Sequence, residues 1–63
     1  MNQVGYIIRL QELMAKSRGI ISKQRDEYFT AQVNGDEEGM FVAKNTIAIH
    51  ARRLFRIQKK LNQ

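Results

Sequence analysis

The chain contains no cysteine, no proline, no tryptophan and only one histidine. Without cysteine there is no disulfide, and with a single imidazole the usual zinc and iron–sulfur ligand sets are excluded. Metal ligation and bound cofactors are therefore not expected. Long apolar runs are missing as well. The longest is four residues, Met40-Phe41-Val42-Ala43, and others such as Ile47-Ala48-Ile49 are three, far short of the roughly 20 residues that span a bilayer. The first residues lack the continuous apolar core of a signal peptide. These absences lead us to expect a soluble cytoplasmic protein with no membrane partner.

With 63 residues there is room for one small domain, residues 1–63, whose own core is marginal. Disulfides and metals being excluded, stability must come from helix packing or from a partner subunit. Apolar residues make up 43% of the chain, an ordinary share for a folded protein.

One stretch punctuates the sequence: Asn34-Gly35-Asp36-Glu37-Glu38-Gly39. Asn-Gly is a turn signal, and glycine accepts the left-handed conformation that closes helices. Asp36 is a good N-cap, and Glu37 and Glu38 suit the positive end of the helix dipole that would follow.

On either side of this turn the apolar spacing is helical. Upstream, Ile7, Leu10, Met14, Ile21, Tyr28 and Ala31 form a seam, widened by Tyr6, Leu13 and Ile20. Ser17 and Gln24 are its polar positions, a loose middle or a register-setting layer. Downstream, Met40, Ile47, Leu54 and Leu61 recur every seventh residue, flanked by Ala43, Ala48, Ala51, Phe55 and Ile57. The spacing predicts an all-α antiparallel helical hairpin: a helix over 4–33, a turn at 34–36 and a helix over 37–61. Tyr6 and the Tyr28-Phe29 pair read as core rather than as base-stacking platforms. Such wide stripes exceed what two helices cover, so two hairpins are expected to dimerise into a four-helix bundle. The alternative is a break at Gly19, where glycine weakens a helix, giving a monomeric three-helix bundle.

Lysine and arginine number 11 against six acids, for a net charge of +5. Residues 39–63 hold no acid at all. Arg52, Arg53, Arg56, Lys59 and Lys60 cluster on the side of the second helix away from the Met40–Leu61 stripe. A purely cationic helix face attracts phosphate backbones, and arginine binds phosphate in a bidentate manner. The bland reading is a solvated face that maintains solubility. Ile49 sits among these arginines and is a candidate partner contact, although single exposed aliphatics are common.

Catalysis has little to build on. His50 has no acid within a helical turn and reads as a helix-packing residue. Ser17, Ser22, Thr30 and Thr46 have no adjacent base, and the glycines at 5, 19, 35 and 39 match no phosphate-loop spacing. The expectation is a non-enzymatic binding or regulatory protein with no small-molecule substrate. It would present its basic face to nucleic acid or to an acidic protein, and pair with itself. The competing expectation is a protein–protein module, an adaptor, chaperone or inhibitor, whose apolar stripes bind another chain.

Overall fold

A computed structural model describes residues 3–62. Two helices account for nearly all of them: α1 (Gln3–Val33) and α2 (Glu37–Leu61). They pack antiparallel as a hairpin measuring 52 × 15 × 12 Å. Both helix ranges and the turn match the reading from spacing to within one residue.

The turn is built by local chemistry. Gly35 adopts φ +68, a conformation that costs a residue with a Cβ about 1–2 kcal/mol. With Gly35 so placed, the Asp36 amide donates to the Ala31 carbonyl (2.8 Å) and the Gly35 amide to Gln32 (3.2 Å). This is the Schellman closure, which satisfies carbonyls that a helix end leaves open. Asp36 then opens α2: its Oδ1 accepts from the Gly39 amide at 2.9 Å, and its carbonyl accepts from Met40 at 3.0 Å. One residue thus ends one helix and starts the next. Gly39 makes this close approach possible, because a Cβ there would collide with the Asp36 carboxylate and lie 3.2 Å from the Ala31 Cβ.

Gly19 does not break α1. The helix runs through it, and nothing stands within 4 Å of where a Cβ would be. The three-helix alternative is therefore overturned. A single exposed glycine costs about 1 kcal/mol of helix propensity, and the seam on both sides of it outweighs that cost.

The seam differs from the expected one in two ways. On α2 the most deeply buried residues, Ala43 and Ile57, lie on the line beside the expected Met40–Ile47–Leu54–Leu61 stripe, whose Leu54 and Leu61 also pack against the core. Ala43 and Ile57 are buried, whereas the Met40 line is only half-buried. On α1, Leu10, Met14, Ser17 and Ala31 are buried, but Ile7, Tyr6 and Phe29 are exposed. Phe29 instead meets the ring of Tyr28 edge-on at 5.8 Å. The apolar cluster sits at the open end of the hairpin, where Leu10, Met14 and Ile57 pack with Leu13, Leu54 and Leu61. Seven residues nearer the turn, the antiparallel register brings Ser17 to the level of His50. There the interface is polar. Ser17 is 2% exposed, and the buried Nδ1 of the half-buried His50 has no hydrogen-bond partner.

Little of the apolar content is used in this packing. Its buried apolar residues are Leu10, Met14, Ala31, Ala43 and Ile57, two of them alanines, while Val4, Ile8, Val33, Phe41, Val42 and Phe55 stand exposed. The radius of gyration is 14.8 Å, against about 10.6 Å for a compact chain of this length. No helix among the described residues is long and apolar enough to cross a membrane.

Candidate nucleic-acid interface

Helix geometry sets the charged face. Residues seven apart form lines along each helix. On α2, Arg53 and Lys60 lie on the line next to the buried seam, Arg56 on the next, and Arg52 and Lys59 on the one beyond. All five side chains are exposed. They share one continuous arc, turned away from the half-buried Met40–Leu61 line. Lys59 also folds back along the helix, its Nζ 5.8 Å from the centroid of the Phe55 ring.

The hairpin adds a second row. Arg9, Lys16 and Lys23 recur every seventh residue on α1 and are all exposed. Two surface grooves show which side they occupy. Near the turn, a groove of about 540 Å³ is lined by Glu27 and Thr30 from α1 and by Gly39 and Val42 from α2. At the open end, another of about 290 Å³ joins Tyr6 to Lys60. Thr30 continues the Arg9–Lys16–Lys23 line, Val42 lies on the Arg56 line, and Gly39 lies on the Arg53–Lys60 line. The α1 row and the α2 arc therefore flank the same side of the hairpin. The signal was present in the sequence as a seven-residue repeat of cations. Glu12, Asp26 and Glu27, interspersed along α1, hid it.

Eight cations thus converge on one side, spaced about 10 Å apart along each line at 1.5 Å per residue. Three acids, Glu27, Asp36 and Glu38, line the groove at the turn, and Glu12 and Asp26 lie on the α1 line beside Arg9, Lys16 and Lys23. The charge on this side therefore changes from mainly acidic at the turn to mainly basic toward the open end. Ile49 lies in this side, 56% exposed, on the line of Arg56. Half-buried Leu13 and Ile20 lie across from it on α1.

The two threonines are engaged within their own helices. Thr30 Oγ1 donates to the Asp26 carbonyl at 3.1 Å, and Thr46 Oγ1 to the Val42 carbonyl at 3.0 Å. No group of acids and histidine suited to a metal ion occurs among the described residues. No known protein family, curated protein or solved structure matches the chain.

Proposed function

We propose that this is a non-enzymatic binding protein whose cationic side lies against the phosphate backbone of nucleic acid, and that it acts as a homodimer. The observation that carries the first part is the convergence of Arg9, Lys16 and Lys23 with Arg52, Arg53, Arg56, Lys59 and Lys60. Three of the five α2 cations are arginines, suited to bidentate phosphate contacts. Such contacts position a protein on a duplex without reading its sequence.

The dimer is supported by area. The hairpin exposes 5256 Å², where a compact monomer of its mass exposes about 4,200 Å². The excess, roughly 1,000 Å², is close to the ~800 Å² that one partner buries in a standard interface.

A titration against duplex and single-stranded nucleic acid at two salt concentrations tests the binding. Neutralising eight phosphates gives a slope of log K against log salt of about −7 on duplex. Lys16→Glu on α1 and Arg56→Glu on α2 should each weaken binding and flatten that slope. Absence of binding at low salt would overturn the proposal.

A second reading rests on Ile49, with Leu13 and Ile20 opposite. Apolar residues between two rows of cations also suit an acidic amphipathic helix of another protein. In that case Ile49→Ala would weaken partner capture more than Lys16→Glu does, and the salt slope on nucleic acid would be shallow.

A further inference from the structure

The apolar surface that the hairpin leaves open is concentrated on α2. Phe41, Ala48 and Phe55 form a line seven residues apart, and both phenylalanines are 66% exposed. Lys44, Ala51 and Gln58 interleave with them at three- and four-residue steps, the spacing of a second helix-pairing seam. This seam is distinct from the Ala43–His50–Ile57 line that faces α1. It borders the cationic arc on one side and the half-buried Met40–Leu61 line on the other.

The seam is symmetric about its own centre. Phe41 and Phe55 lie seven residues either side of Ala48, so bulky residues stand at both ends and a small one in the middle. A helix with this pattern is complementary to an antiparallel copy of itself: each Phe41 lies level with the partner's Phe55, and the alanines allow close approach at the centre.

We infer that α2 pairs antiparallel with α2 of a second copy across the Phe41–Ala48–Phe55 line. The inference rests on the dimer reading above and specifies its face and direction. Charge favours this direction. In the antiparallel register, Glu38 flanks Lys59 of the partner subunit, and Asn45 flanks Arg52 of the partner subunit. Lys44 comes beside the partner's Ala51. In a parallel pair Lys44, which stands in the seam itself, would lie level with its own copy, and like charges so placed are destabilising. The two-fold axis of an antiparallel pair runs perpendicular to the helices, so equivalent arcs fall on the same side. The five α2 cations of each protomer then merge into one continuous face. The Met40–Leu61 lines turn inward toward the enclosed core of a four-helix bundle.

The chain has no native cysteine, so introduced thiols report on the pairing directly. Glu38→Cys and Lys59→Cys are both on the exposed rim and leave the phenylalanines intact. Mixed and oxidised, the two variants should give a covalent heterodimer, and neither should cross-link alone. In the antiparallel register two copies of residue 38 are roughly 30 Å apart at 1.5 Å per residue, whereas a disulfide needs Cα atoms within about 7 Å. Self-cross-linking of either single variant would overturn the direction. Dimeric mass in solution with no cross-link in any combination would overturn the face while leaving the dimer reading standing. Monomeric mass would overturn both. As an independent check, Ala48→Glu puts two like charges at the axis on an exposed position. It should leave the helix content unchanged, halve the solution mass and reduce the salt slope on duplex nucleic acid.

Discussion

The two ends of the hairpin are held by different forces. The turn end is fastened by hydrogen bonds and small residues: the Schellman closure at Gly35, the Asp36 cap, and the close passage of Ala31 by Gly39. The open end is fastened by apolar burial of Leu10, Met14 and Ile57. Between them lies a polar stretch, with Ser17 buried and His50 Nδ1 unpartnered. Hydrogen bonds at the turn are directional and fix the register. Burial at the open end is non-directional and supplies most of the free energy. The charges follow a similar trend: five of the six acids, all but Glu12, lie toward the turn, and the α2 cations other than Lys44 lie toward the open end.

The comparison can be broken at its stronger end first. Ile57→Ala removes the α2 member of the apolar cluster and should cost about 2–5 kcal/mol. In a chain this small that is enough to abolish the cooperative thermal transition followed by circular dichroism. The middle should respond with the opposite sign. His50→Leu replaces a buried polar atom that lacks a partner with an apolar side chain of similar size, and should stabilise by about 1–2 kcal/mol, read as a higher urea midpoint. At the turn, Asp36→Ala removes the cap and should cost about 1 kcal/mol. The loss should be accompanied by faster amide hydrogen exchange at Gly39 than at Ile57. The smallest change is Gly19→Ala, at an open position in the middle of α1. It should raise stability by just under about 1 kcal/mol with no change in solution mass. A loss of stability there would mean that Gly19 faces a packed neighbour in the assembly.

Legibility in the sequence followed the range of the forces. The turn was readable because Asn34-Gly35-Asp36 carries its own instructions within a few residues. The helix extents were readable from periodicity. Spacing alone did not show that Ala43 and Ile57 would be buried more deeply than the Met40–Leu61 stripe they flank, because His50, a polar residue, stands between them while the stripe is uniformly apolar. Tyr6 and Phe29 share the helical spacing of the core yet stand exposed, because spacing does not say which flank of a stripe meets the neighbouring helix. That is decided by how the two helices come together. The α1 row of cations stayed hidden for the same reason: only the fold puts Arg9, Lys16 and Lys23 on the side of Arg53, Arg56 and Lys60.

The double duty of Asp36 also has a kinetic side. A connection this short closes at almost no loop entropy. The first contacts between the helices, Ala31 against Gly39, are separated by only a few residues of chain. The hairpin should therefore zip from the turn toward the open end. With no proline in the sequence, no isomerisation slows it. Refolding followed by stopped flow should be complete within milliseconds. Any slower, concentration-dependent phase would then time the meeting of two chains.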